Sequence, residues 1–267
     1  MSATRPDLPD LARVAELAAR GGGEVILGTE AAEAGTPELK GSGDYVTAVD
    51  RASEAAIVRL LAEATPGIPV VGEEGGGRSG DQYWLVDPLD GTTNFLHGFP
   101  VVAVSVALVR DGAPVAGAVH APFLGDTYRA AVGSGAWRVA ADGTRSPIEV
   151  SRRPVERAIV GTGFPFRRKD LLDRYLRTMG AALARFEDLR RPGAAALDLA
   201  WVASGVFDGF FELSLAPWDV AAGAVLIAEA GGVVTDWRGG AGYLSGNILA
   251  GSPEVHAELM RIATTAP

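Results

Sequence analysis

The chain has 267 residues, 48% of them hydrophobic and 21% charged, so it can bury a sizeable core and is not disordered. Its 33 acidic and 24 basic residues leave a formal net charge of −9, which gives no general attraction for nucleic acid or anionic lipid. The lack of cysteine excludes disulfides, thiolate nucleophiles and Cys-held metals, and three scattered histidines, His97, His120 and His256, do not suit a zinc site.

Asp7 is a candidate cap for a first helix with the stripe Leu11, Val14, Ala15 and Ala18, and Gly21 to Gly23 are expected to end or kink it. Ile57, Leu60, Leu61 and Ala64 repeat the pattern in a second helix, expected to begin just after Asp50. Val70, Val71 and Gly72 predict a short buried strand, and Trp84, Leu85 and Val86 predict another. Pro88 fixes its own φ and biases Asp87 to extended backbone, so this second strand should persist to Asp87 and then turn. From about 101 to 160 the texture is that of strands, with Asp-Gly turns at Asp111 and Asp142. Helices are expected near 170–185, 193–204, 218–230 and 253–264, alternating with strands. No repeat, low-complexity tract or linker interrupts this order, which reads as a layered α/β protein.

Carboxylates stand where these apolar elements end. Glu73 and Glu74 follow the first strand and lead into a Gly-rich segment; Asp87 and Asp90 follow the second, with Gly91, Thr92, Thr93 and Asn94 immediately after. Trp218 and Asp219 open a helical stretch in which Val220, Ala224 and Ile227 share a face. An Asp-Gly turn or a helix-dipole preference accounts for any one of these acids. Together they would repel one another unless cations neutralise them, and oxygen donors suit hard divalent ions.

Four blocks, DYVTAVD at 44–50, GEE at 72–74, DPLDGTTNF at 87–95 and WDVAAGAVLIAEAGG at 218–232, resemble the inositol monophosphatase family of Mg²⁺-dependent phosphomonoesterases in order and spacing. GTGFPFR at 161–167 and RRPGAAALDLAWVASGVFDGFFE at 190–212 look like bacterial members in particular. The resemblance covers nearly the whole chain. It implies one domain over residues 1–267, a five-layer αβαβα sandwich of the inositol monophosphatase and fructose-1,6-bisphosphatase type, with a weak subdivision near residue 150.

By the same resemblance Glu73, Asp87, the Leu89 carbonyl, Asp90 and Asp219 are expected to hold two or three Mg²⁺ ions, with Mn²⁺ as a substitute. Thr92 is expected to orient an attacking water and pass its own hydroxyl proton towards Glu74 or Glu73, although an ST-turn or N-cap role also fits it. Gly91 and Thr92 would offer backbone N–H groups to phosphate if they begin a helix. Asp90, Gly193, Ala195, Glu212 and Asp219 are the expected polyol contacts, and Ala194 replaces the Ser or Thr frequent at its position. Lys40 and Asp50 match positions near a mobile loop of the family; a solvated lysine and a helix-capping Asp50 are the plain alternatives. His97 is read as structural or exposed.

The expected reaction is hydrolysis of a small phosphorylated polyol, foremost myo-inositol 1-phosphate, because Thr93 and Asn94 suit the inositol branch better than the histidinol-phosphate or sulfur-nucleotide branches. Fructose 1,6-bisphosphate, NADP and histidinol phosphate are rivals with the same chemistry. A different rival is an interaction partner of the transcription machinery, against which the acidic balance counts; Arg152, Arg153, Arg167, Arg168, Lys169, Arg190 and Arg191 read as solvated surface. The resemblance implies a homodimer. With no long apolar run and no signal-like segment, a cytoplasmic protein without membrane association is expected.

Overall fold

The computed structural model describes residues 7–30, 38–41, 44–166 and 168–265, with only the backbone described at 39–41, 44 and 45. The Lys40 side chain, Ser42, Gly43 and Arg167 lie outside the described residues. The first half runs α1 (Leu8–Leu27), β1 (Glu38–Gly41), β2 (Asp44–Val46), α2 (Ala48–Ala64), β3 (Val70–Gly72), β4 (Gln82–Asp90), α3 (Thr92–Leu96), β5 (Ala103–Arg110), β6 (Ala113–Ala121), β7 (Asp126–Ala131), β8 (Ala136–Val139) and β9 (Arg145–Pro147). The second half runs β10 (Ile159–Thr162), α4 (Leu172–Arg185), β11 (Asp188–Arg190), α5 (Ala195–Ala203), β12 (Gly209–Glu212), α6 (Pro217–Glu229), β13 (Val233–Thr235), β14 (Ile248–Gly251) and α7 (Pro253–Thr265).

Strands β3 to β9 form a seven-stranded sheet in sequence order, and a second sheet of five has the order β11-β10-β12-β14-β13. Helices α5 and α6 lie between the two sheets. Their sequences, AALDLAWVA and PWDVAAGAVLIAE, are apolar almost all round because both faces are covered. Leu197, Leu199, Leu226 and Ile227 are fully buried there, and each contributes roughly 2 kcal/mol by leaving water. Helices α1 and α2 cover the outer face of the larger sheet, whereas α4 and α7 cover that of the smaller one. The result is the expected five-layer αβαβα sandwich. Burial on both faces explains why β5 reads AVSVALV rather than alternating.

Three expectations about local structure are corrected. Helix α1, capped by Asp7, whose Oδ1 accepts from the Asp10 N–H at 2.9 Å, does not end at Gly21 to Gly23 but continues to Leu27. A Cβ at these positions would collide with Leu60, with Ile57 and Ser53, and with His120 respectively, so the glycines admit α2 and β6 at close range. Helix α2 begins before Asp50, capped by Thr47, with Asp50 as the reciprocal partner whose carboxylate accepts the Thr47 N–H at 2.8 Å. Strand β4 does not turn at Pro88. Its register with β5 shifts between the pairs Asp87↔Ser105 and Asp90↔Ala103, so two residues of β4, Pro88 and Leu89, oppose one of β5, and this bulge accommodates the prolyl residue that has no N–H to give.

Candidate active site

Strand β3 pairs parallel to β4, so the two deliver their C-terminal ends to one edge of the sheet. That geometry brings Glu73, just beyond β3, to the bulge that carries Asp87 and Asp90. Asp87 is 2% exposed, and its Oδ1 accepts the Leu89 N–H at 3.0 Å. Asp90 Oδ2 accepts the Ala196 N–H of α5 at 2.7 Å. Asp219 sits in the first turn of α6, where its Oδ2 accepts the Ala216 N–H at 2.8 Å. Ser105, the cross-strand partner of Asp87, donates to the Trp218 carbonyl at 2.9 Å and so fixes the start of α6 beside the bulge.

Burial raises the Asp87 carboxyl well above the ordinary range, and the neighbouring charges of Glu73, Asp90 and Asp219 raise it further. Asp90 is raised as well, first by burial and then by Asp219, against the lowering effect of the Ala196 and Ala195 N–H groups. Among the described residues no three acidic or histidine side chains already meet as a metal cage; what converges is charge, on donors that are all oxygen. Buried anionic oxygens that repel one another in this way fit a hard divalent cation. Glu73, Asp87, Asp90 and Asp219, with the adjacent Leu89, are therefore the residues that could hold it.

Gly91 follows with φ 93°, a left-handed conformation that suits glycine, and a Cβ there would approach the Val101 carbonyl to 3.0 Å. The chain then enters α3, so the Gly91 and Thr92 N–H groups do stand at a helix start. The Thr92 hydroxyl lies 3.0 Å from Asp50 Oδ1 and 3.2 Å from the Leu89 carbonyl. Asp50 was expected as a helix cap or a loop residue, whereas Glu73 or Glu74 was expected to receive this proton. It caps α2 through Oδ2 and faces Thr92 through Oδ1, and both uses hold at once. Glu74 is tied through its backbone N–H to Glu54 Oε2 at 2.8 Å.

The opposite wall comes from the second half. Residues Gly193 to Ala195, Thr162 to Phe166, Glu212 and Asp219 line, with the first set, a cavity of about 390 Å³. Glu212 ends β12, and the missing side chain of Gly163 leaves space for its carboxylate. Asn94 joins the two halves by donating to the Val101 carbonyl at 2.7 Å and the Pro192 carbonyl at 2.9 Å. Two charged lining residues were not among the expected site residues. Asp198 is 1% exposed, and its Oδ1 has no hydrogen-bond partner among the described residues; burial, then Asp90 and Glu212, push its carboxyl well up. A lone acid in the apolar helix AALDLAWVA was the available signal. Arg191, expected on the solvated surface, is exposed and also lines the cavity, with its guanidinium 5.4 Å and 5.3 Å from the ring centres of Phe164 and Phe166.

His97 is exposed at the end of α3 and does not line the cavity. Of the remaining expected surface cations, Arg152, Arg153, Arg168 and Arg190 pair with Glu149, Asp208, Asp170 and Asp188. Arg153 in particular neutralises an Asp208 that is fully buried, so it has a structural task. No helix among the described residues is long and apolar enough to cross a membrane.

Comparisons with known proteins agree with this architecture. The chain is 43% identical to the putative Nus factor SuhB of Neisseria meningitidis serogroup B, over 95% of this chain and 97% of that one. The solved extragenic suppressor protein suhB of Bartonella henselae superposes with a TM-score of 0.88 at 37% identity, covering 95% of this chain and 98% of the other. The inositol monophosphatase of Anabaena (Nostoc) superposes at 0.83 and 32% identity, covering 98% of both chains. The profile of the inositol monophosphatase family matches residues 7–266, and the chain belongs to that family.

Proposed function

We propose that the protein is a Mg²⁺-dependent phosphomonoesterase whose substrate is a small phosphorylated polyol, foremost myo-inositol 1-phosphate. The observation that carries this reading is the mutual repulsion of Glu73, Asp87, Asp90 and Asp219 in a cavity that Glu212 and the Gly193–Ala195 backbone also line. Glu73, Asp87, the Leu89 carbonyl, Asp90 and Asp219 hold the cations, two or three Mg²⁺ with Mn²⁺ as a substitute. When bound there, such an ion neutralises phosphate charge and lowers the pKa of water at neutral pH.

The rest is done by the chain itself. Thr92 Oγ1 accepts a hydrogen bond from the attacking water while its own hydrogen points to Asp50 Oδ1, which orients the water's lone pair at phosphorus. Asp50, held by the Thr47 N–H, is the terminus of that relay in this proposal, in place of Glu74 or Glu73. The Gly91 and Thr92 N–H groups face the phosphate oxygens. Glu212 and Asp90 accept from polyol hydroxyls, which a carboxylate can do in pairs. Ala194 offers no hydroxyl, so the polyol is held there by backbone alone. The same chemistry on fructose 1,6-bisphosphate, NADP or histidinol phosphate is the near alternative. The test is phosphate release by purified Asp87→Asn and Asp219→Asn variants, each expected to fall to background; turnover retained in both would sink the cation assignment.

The names of the curated relatives favour a second reading, a role as a Nus factor and so as a partner of the transcription machinery. Pairing of four of the clustered arginines with carboxylates reduces the basic surface available for it. A pull-down from cell extract that recovers no transcription or ribosomal component would count against this role. A homodimer belongs to the same proposal.

A further inference from the structure

One face of α2 reaches three separate segments of the site. Asp50, Ser53 and Glu54 lie at i, i+3 and i+4, so they project from the same side of the helix. Asp50 meets Thr92, and Ser53 donates to the Pro88 carbonyl at 2.8 Å, inside the bulge between Asp87 and Asp90. Glu54, 7% exposed, spreads its two oxygens over consecutive backbone N–H groups, with Oε2 2.8 Å from Glu74 N and Oε1 2.6 Å from Gly75 N. These N–H groups belong to the turn that begins at Glu73, whose own N–H donates to the Val86 carbonyl at 3.2 Å.

The sequence gives up two side chains to admit this carboxylate. A Cβ on Gly72 would overlap the Glu54 carboxyl group, and one on Gly75 would stand 2.7 Å from its Oε1. Neither glycine has a positive φ, so close approach is the reason for both. A buried carboxylate with two charge-assisted hydrogen bonds is a stiff anchor, because losing either bond leaves a buried polar group unmatched.

We infer that Glu54 is a positioning residue for the cation site: it fixes the Glu73–Gly75 turn from behind and so sets where the Glu73 carboxylate stands. The inference rests on the proposed cation-dependent function. It also separates two effects that a charge-removing variant would confuse, since Glu54 adds negative potential near the site as well as holding the turn. Glu54→Asp keeps the charge but is one methylene too short to reach both N–H groups. Gly75→Ala keeps Glu54 intact and displaces it from the exposed side of the turn, which gives a second perturbation should the first fold poorly.

The experiment is titration of Mn²⁺ into the metal-free wild type and both variants, followed by the electron paramagnetic resonance signal of free Mn²⁺, beside thermal unfolding in chelator. The expected result is a dissociation constant raised about tenfold or more in both variants, at whatever change in unfolding temperature. Constants within twofold of wild type, with only the unfolding temperature lowered, would make Glu54 merely structural and overturn the inference. A wild type that binds no Mn²⁺ would instead defeat the cation-dependent reading itself, and this inference with it.

Discussion

His120 gives the most quantitative test of how the outer helix is docked. Its ring lies against Gly23 of α1, with Nδ1 2.9 Å from Thr127 Oγ1 and 3.1 Å from the Asp126 carbonyl. Burial first and the Arg20 charge second, opposed by Asp126, together lower its pKa from 6.5 to about 4. The folded state therefore binds the proton less readily than the unfolded state. The stability that follows is fully present above pH 6.5 and is lost as pH falls towards 4, below which both states are protonated. At 1.36 kcal/mol per unit the loss is about 3 kcal/mol, a large share of a typical folding free energy. Urea unfolding of wild type and His120→Asn, followed from pH 8 to pH 4, isolates this group, because the carboxylates that also titrate cancel in the difference. The wild-type advantage is expected to shrink by about 3 kcal/mol over that window. A gap that stays constant with pH, or a His120 ring that titrates near 6.5 in the folded protein, would refute the reasoning.

Other outcomes follow from the site. Thr92→Val and Asp50→Asn are each expected to lower kcat by about 10²–10⁴, and the double variant should cost little more than either, because one relay is broken; additive losses would separate the two residues. Asp198→Asn removes a buried acid whose carboxyl is held well above its ordinary range, so folded Asp198 is protonated where unfolded Asp198 ionises. That penalty grows as pH rises above the unfolded value. In chelator the variant should therefore gain on wild type between pH 4 and pH 7, as read by thermal unfolding, and a pH-independent difference would contradict it.

The parts legible in sequence were those encoded locally. Apolar runs ending in carboxylates marked β3 and β4, and Asp111–Gly112, both at positive φ, marked the hairpin between β5 and β6. Gly21 to Gly23 misled because helix propensity treats glycine as a breaker, while tertiary packing uses it to bring α1 onto α2 and β6. The Asp50–Thr92 contact spans 42 residues, Glu54–Glu74 spans 20 and Arg153–Asp208 spans 55, so no local pattern announces them. Asp198 was hidden for a different reason, as a single acid inside the apolar helix AALDLAWVA with no second acid beside it in sequence.

The most direct measurement is phosphate release from myo-inositol 1-phosphate beside fructose 1,6-bisphosphate, NADP and histidinol phosphate, with Mg²⁺ present, then chelated, then restored. The account predicts turnover that chelation abolishes and Mg²⁺ restores, fastest on the inositol ester. Absence of turnover on every ester at any Mg²⁺ concentration would contradict it and leave the Nus-factor reading in its place.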